Sequence, residues 1–402
     1  MRIAIDARAF GWTGIGRYTR NLLKQYAALK SPHQFVVMVP EGKEEELGKV
    51  LGLVVTKTHG TPQVCTMGGF EVVGVEGSYY SWREQTVFLE QLHRVKADLF
   101  HFTHFNVPLL FKRPYVVTIH DTTRFIFPGE KRQRLIEQIG YEIVFARAAL
   151  KAKAVICVSE ATKHDLEALP VHTSAPIRVI YEGVDDEFGK HVDELAGQKA
   201  NLLLGGVKHY LLYVGVWMNH KNLRRLLAAF AIVKKRFPQM KLVMTGQPVP
   251  AYSPVLKEVE RLHLRDSVVF PGFVSHELLP ALYGRASCFL FPSLYEGFGL
   301  PPLEAAACGV PVVASNVSSL PEIMASAAEY VNPEDEVDIA RGVMRVLEDE
   351  HVRQRLIEEG KKRVLQFSWQ VCAQETLALY EDITHGTPRG NPEYGTPAGE
   401  YH

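Results

Sequence analysis

Glu296 and Glu304 stand eight residues apart in "SLYEGFGLPPLEAAACGVPVVAS" (Ser293–Ser315), a stretch otherwise almost wholly apolar. Burying an unpaired carboxylate is costly, so two in such a segment need partners. A carboxylate that accepts two hydroxyl hydrogen bonds suits a polyol such as ribose or hexose. The plainer reading of Glu304 is a first-turn acid complementing a helix macrodipole, worth about 0.3–1 kcal/mol. Nothing local requires an acid at Glu296. A cation is offered by "YVGVWMNHKNLRRLLAAF" (Tyr213–Phe230), where a strand ends at Gly215 and His220 and Lys221 precede a helix. Lysine is otherwise a solvated surface residue. His120 and Asp121 in "YVVTIHDTT" end a β-branched run, where a histidine can also simply cap the turn. Near the start, "DARAFGWTGIGRYTRNLL" carries Gly11, Gly14, Gly16 and Arg17. Counting from Gly14, the third glycine of a dinucleotide fingerprint falls on Thr19, which argues against nicotinamide binding. Arg17 reads equally as a ligand contact or an exposed helix-start residue.

Short β-branched runs alternate with amphipathic segments along most of the chain, a βαβ rhythm that implies parallel sheets with helices on both faces. The rhythm weakens after Asp185 and restarts near Lys208, so two α/β units are expected, 1–190 and 205–367. "CFLFPS" reads as a buried strand, "LYEGFGL" as a loop, and Pro301–Cys308 as a short helix closed by Gly309. That loop brings a helix N-terminus to the C-terminal edge of a sheet, where unpaired N–H groups favour a diphosphate. Gly297 and Gly299 allow close backbone approach. "FSWQVCAQETLALYEDI" (Phe367–Ile383) is a helix arriving after the second unit and is expected to return to the first, as 368–385. The tail 386–402, rich in Gly and Pro, reads as disordered. Ser159 reads as a helix N-cap. His101 and His104 lack a third ligand in view and read as core or cleft lining rather than metal ligands.

The Ser293–Ser315 stretch resembles the signature of family 4 retaining glycosyltransferases, in which Glu, seven residues and Glu sit within "EGFGLPxLEAxAxGxPV". The resemblance covers residues 1–385. It implies the GT-B fold, two Rossmann-like domains facing across a cleft, with the N-terminal domain on the acceptor side and the C-terminal domain holding a nucleotide-sugar. It further implies that Glu296 contacts the donor sugar, Glu304 the ribose, and Gly297, Phe298, Gly299 and Leu300 the diphosphate. Lys221 matches the basic residue that neutralises the leaving diphosphate without a metal; His220 stands where Arg is common. By the same resemblance His120 reaches the donor sugar, with Asp121 beside it. Gly14, Gly16 and Arg17 face phosphate and acceptor, and Gly215 and Val274 border the nucleotide. Thr245–Gln247 and Pro271–Ser275 are expected near the nucleobase. "YEGVDDEF" (Tyr181–Phe188) resembles a hinge segment, with Glu182 replacing the usual Asn. "YSWREQTVFLEQL" and the C-terminal helix are most similar to bacterial polysaccharide mannosyltransferases. The expected reaction is retaining transfer of a hexose, first mannose from GDP-mannose, to a hydroxyl of a glycan or lipid-linked saccharide, with no cofactor and no metal. A nucleotide-sugar epimerase and a non-catalytic sugar-nucleotide-binding subunit are the alternatives.

The bulk properties agree. The 402 residues exceed what one core usually organises. Formal net charge is zero, which argues against nucleic acid as the main partner. Five cysteines without metal-ligand spacing fit a reducing cytosol. Asp6 comes too early for a signal peptide, and no apolar run approaches the ~20 residues of a membrane span. A cytoplasmic protein is expected. The basic, partly apolar segment Lys131–Lys153 reads as a solvated helix face, with peripheral contact to the inner face of a membrane as the alternative.

Overall fold

The computed structural model describes residues 1–29, 31–57, 64–127, 135–171, 173–190, 192–246 and 253–385. Gln247, residues 131–134 and the tail 386–402 lie outside them. The described chain forms two compact units. The first gathers residues 1–122, 135–182 and 369–385; the second gathers 123–127 and 183–368. The division therefore falls after Glu182, earlier than 190. The stretch read as unpatterned holds a 3-10 turn, Asp186–Gly189, and a helix, Glu194–Leu203, both in the second unit. That helix is poorly amphipathic because it buries little beyond Ala200, which is why its periodicity is weak in the sequence.

The first unit is built on a nine-stranded sheet: β1 (Arg2–Asp6), β2 (Gln34–Pro40), β3 (Val55–Lys57), β4 (Val64–Met67), β5 (Phe70–Val75), β6 (Leu99–Phe102), β7 (Tyr115–Ile119), β8 (Ala154–Cys157) and β9 (Ile177–Val179). Their order is β3-β4-β5-β2-β1-β6-β7-β8-β9. From β5 to β9 all pairings are parallel, with Ile5 opposite Val37 and His101. Strands covered on both faces read as continuous apolar runs, and Ile3–Ile5 and Val37–Val39 are fully buried. The edge β3–β4–β5 is antiparallel, which the βαβ rhythm did not anticipate. Its turn is Gly68-Gly69, both at positive φ, as a tight hairpin requires.

The helix Trp369–His385 completes this first unit. Its Tyr380 hydroxyl bonds His101 Nδ1 at 2.5 Å and Tyr26 at 3.2 Å. His101 Nε2 meets Thr118 Oγ1 at 2.8 Å, and Thr118 meets the Tyr18 hydroxyl at 3.1 Å. Five buried polar side chains thus form one hydrogen-bonded chain through the core, each satisfied by the next. His101 is a core histidine, and burial pushes its pKa down to about 3. His104 is likewise buried and held near 3.

The second unit contains β10 (Tyr210–Tyr213), β11 (Lys241–Thr245), β12 (Val268–Gly272), β13 (Cys288–Phe291), β14 (Val312–Ser315) and β15 (Ala328–Val331). They are ordered β12-β11-β10-β13-β14-β15 and all parallel. This is the doubly wound 3-2-1-4-5-6 arrangement, whose strand order reverses between β10 and β13. Ligands of open α/β sheets bind outside the carboxyl ends of the strands at that reversal. All five cysteines are free thiols. Among the described residues no helix is long and apolar enough to cross a membrane. The described part of the basic segment forms the helix Leu135–Lys151, with Ile139 and Ile143 exposed.

Candidate functional site

The loops after β10 and β13 carry Lys221 and Glu296, so the reversal point brings the predicted cation and the first predicted carboxylate together. Lys221 Nζ donates to both Glu296 oxygens, at 2.7 and 2.8 Å. The two side chains are 13% and 11% exposed, and Lys221 also lies 5.4 Å from the Phe291 ring centroid. The backbone explains their placement. Asn222 adopts the left-handed conformation (φ 61°) just before the helix Leu223–Arg236. Its amide donates to the carbonyls of Pro292 (2.9 Å) and Pro333 (2.6 Å), which staples the β10 loop to the β13 loop. The Leu294 N–H donates to the His220 carbonyl at 2.7 Å. His220 itself is buried in the 3-10 turn Asn219–Lys221.

The β13 loop is tied from the other side. Glu296 N–H donates to Ser318 Oγ at 3.0 Å, and Ser319 Oγ–H reaches the carbonyls of Glu296 and Phe298 at 3.0 and 2.8 Å. Gly299 has φ 104°, a left-handed conformation that favours glycine; a Cβ there would sit 2.9 Å from the Leu320 Cδ2 methyl, which can move aside. The helix that follows runs Leu300–Ala307, with Pro301 and Pro302 in its first turn. Phe298 is a core residue, its ring edge-on to Phe367.

Glu304 corrects one expectation. It is the fifth residue of that helix, beyond the first turn, so complementing the macrodipole is not its role. It is 2% exposed, and the Tyr283 hydroxyl donates to its Oε2 at 2.8 Å. Gly215 ends the β10 strand region against the Tyr213 hydroxyl, where a Cβ would be 2.8 Å away. Val274 is buried and follows β12, two strands removed from the reversal point.

The other predicted residues belong to the first unit. His120, one residue past β7, uses both ring nitrogens. Nε2 lies 3.0 Å from the Thr103 carbonyl and must carry the hydrogen there, since a carbonyl only accepts; Nδ1 lies 3.0 Å from Glu182 Oε1. The Tyr18 ring packs edge-on at 4.8 Å. Glu182, where the resembled pattern has Asn, is thus the buried partner of His120. Asp121 follows, half-buried. Gly16 is needed by the fold: a Cβ would lie 2.6 and 2.7 Å from the carbonyls of Phe10 and Ala9. Gly14 has open space beside it. Arg17 is buried, which overturns its reading as an exposed residue. Ser159 does cap its helix, accepting from Thr162 N–H at 3.0 Å.

Sequence reasoning missed Tyr283, Asn222 and the Ser318–Ser319 pair, and it noted Glu182 in the hinge segment without its His120 partner. Asn222 had a local signal, an Asn directly before a helical pattern; the others act over long sequence separations. Among the described residues, one group of three has metal-ligand proximity: Asp185, Glu187 and His276. Both nitrogens of His276 are engaged by those carboxylates, at 2.9 and 3.3 Å, and no predicted site residue belongs to it. A cavity of about 430 Å3 lined by Arg2, His93, Asp98 and Arg113 lies at the N-terminal edge of the first sheet, opposite the edge that carries His120.

The chain matches known proteins over most of its length. Residues 12–188 match the family model described as Glycosyltransferase Family 4, and residues 198–363 match Glycosyl transferases group 1. The O-antigen chain mannosyltransferase B of Escherichia coli is 28% identical over 92% of this chain and 96% of its own. An uncharacterized glycosyltransferase of Methanocaldococcus jannaschii is 30% identical over 70% of this chain and 72% of its own. The crystal structure of Anabaena HepE in complex with UDP-glucose superposes with a TM-score of 0.73 at 17% identity, covering 95% of this chain and all of that one. With two Rossmann-like units, a doubly wound second sheet and this match along both, the chain belongs to the family 4, group 1 glycosyltransferases and has their GT-B fold.

Proposed function

We propose that this glycosyltransferase moves mannose from GDP-mannose to a hydroxyl of a glycan or lipid-linked saccharide, with retention of anomeric configuration and without a metal. The observation that carries the reading is the Lys221–Glu296 pair at the reversal point of the second sheet, beside the N-terminus of the helix Leu300–Ala307. An ammonium and a glycine-bordered helix start together favour a diphosphate. Before the donor arrives, the pair holds both side chains in position with their charges compensated. An incoming diphosphate competes for Lys221, and Glu296 is released to accept hydrogen bonds from sugar hydroxyls. Glu304, fixed by Tyr283, receives the ribose. In the first unit His120, oriented by Glu182 and the Thr103 carbonyl, addresses the transferred sugar, with Asp121, Gly14 and Arg17 on the phosphate and acceptor side. Charge stabilisation at the leaving diphosphate and positioning of the acceptor supply the rate; no carboxylate nucleophile is assigned.

The choice of mannose is supported by the mannosyltransferase relative, whereas the structural neighbour was solved with UDP-glucose. The free thiols support a cytoplasmic setting. The test is a thermal shift against GDP, UDP, GDP-mannose and UDP-glucose. GDP-mannose should stabilise most, and Glu296→Ala should abolish the increment of sugar-nucleotide over bare nucleotide while retaining the nucleotide response. If both responses survive in Glu296→Ala, the assignment of Glu296 is wrong. Product analysis by NMR reads the anomeric configuration directly.

A further inference from the structure

The first sheet has its own reversal point, between β1 and β6, whose neighbours lead away in opposite directions. The loops leaving these strands and β5 gather aromatic rings there. Trp12 follows β1, Tyr79 and Tyr80 follow β5, and His104 follows β6. Ring centroids are 4.8 Å apart for Trp12–Tyr79, 5.8 Å for Trp12–His104, 5.5 Å for Tyr79–His104 and 6.4 Å for Tyr80–His104. These rings are not closed into the core: Trp12 is 41% exposed and Tyr80 54%. Exposed aromatic clusters of this kind mark ligand-binding grooves. Two further features point the same way. Tyr80 holds φ 62°, a genuine outlier for a bulky side chain; such strain persists only where the surrounding structure holds it, and it clusters at ligand sites. The Tyr79 hydroxyl is buried and makes no hydrogen bond, an orphan that a ligand hydroxyl would satisfy.

The floor of the cluster selects the ligand's chemistry. Arg8 stacks under Tyr79, 4.3 Å from its centroid, but its guanidinium is taken up by Asp6 (2.8 Å) and Glu84 (3.0 Å). Arg8 offsets one of these carboxylates, and Arg20, whose guanidinium reaches the Trp12 carbonyl at 3.3 Å, offsets the other, so the cluster carries no excess charge and favours a neutral ligand over an ionic one. A pyranose is the complementary shape: its C–H face carries weak positive charge that packs on the negative face of an aromatic ring, and its rim offers hydroxyls. Resting on the proposed function, we infer that Trp12, Tyr79, Tyr80 and His104 form a stacking platform for a neutral hexopyranose of the acceptor saccharide.

The test is calorimetric titration of the full chain with mannotriose, without nucleotide. Wild type should bind saturably. Trp12→Ala and Tyr80→Gly should each weaken binding about tenfold or more, while Trp12→Phe, which keeps a ring, should stay close to wild type. Tyr80→Gly should at the same time hold or raise the melting temperature, because glycine tolerates that φ; a merely structural tyrosine would not separate the two readouts. Wild-type failure to bind at millimolar saccharide, unchanged binding in Trp12→Ala, or weakened GDP binding in Trp12→Ala would each overturn the platform. The donor reading fails separately: if no nucleotide-sugar shifts the wild-type melting temperature but mannotriose binding depends on Trp12, the platform stands and the proposed donor falls.

Discussion

Replacing Lys221 by Met isolates the energetics of the site. The lysine makes two charge-assisted bonds to Glu296 at 2.7 and 2.8 Å, and both side chains are about nine-tenths buried. Removing one partner of a fully buried pair costs ~3–5 kcal/mol, because the other charge stays desolvated and uncompensated. Residual exposure lets water reach Glu296 and lowers the expected cost of Lys221→Met to about 2–3 kcal/mol. For a unit of this size that corresponds to a fall in melting temperature of roughly 4–12 °C. The double variant Lys221→Met/Glu296→Gln removes the orphaned charge and should recover at least half of the loss, giving a coupling energy of about 1–2 kcal/mol. Since the chain has two units, the loss is best read by hydrogen exchange of the peptides covering β10 and β13, with the β1 peptide as internal reference. Lys221→Met should also lose most of the stabilisation given by GDP. If Lys221→Met is as stable as wild type across β10 and β13, with no coupling in the double variant, the two side chains do not neutralise each other in the unliganded protein, and the release of Glu296 by an arriving diphosphate is refuted.

Tyr283→Phe removes the hydroxyl that donates to buried Glu304; stability should fall by about 1–3 kcal/mol and nucleotide binding should weaken, and unaltered nucleotide affinity would detach Glu304 from the ribose. Glu182→Gln withdraws the carboxylate from His120 and should lower turnover roughly tenfold without changing GDP affinity; equal loss of GDP affinity would point to a folding defect instead. His101 and His104 are held near 3 when folded, against about 6.5 unfolded, so the unfolded chain binds more protons between those values. Their contribution is fully present above pH 6.5 and declines as pH falls toward 3, by up to about 1.4 kcal/mol per pH unit for each. Urea midpoints from pH 7 to 5 should drop accordingly, and His101→Asn should flatten the slope; an unchanged slope in that variant contradicts the assignment.

Much of the second unit was readable because each buried strand is followed by a helix with its own punctuation. Pro301, Pro302 and Gly309 delimit the helix Leu300–Ala307 to within a residue at each end. That one residue still mattered: starting at Leu300 puts Glu304 beyond the first turn, and Glu304 is instead buried against Tyr283. The pairings were not readable. Lys221 and Glu296 are 75 positions apart, and His120 and Glu182 are 62 apart, so no local period connects them. The antiparallel edge was missed although "TMGGFEV" carries a hairpin signal, because its strands are short and the surrounding rhythm is parallel. The early end of the first unit, after Glu182, was hidden for the same reason as the role of Glu182: its partner His120 lies at the edge of another strand.

The hydrogen bond between Tyr26 and Tyr380 spans 354 positions. During translation, the first unit must therefore wait for nearly the whole remaining chain before its core is complete. At ribosomal speeds of about 5–20 residues per second, that interval is roughly 20–70 s. The second unit draws almost all its residues from one uninterrupted stretch, Gly183–Ser368, and can close while the first still lacks its last helix. Order of completion thus inverts order of synthesis, and until the last helix docks, His101 Nδ1 lacks its Tyr380 partner.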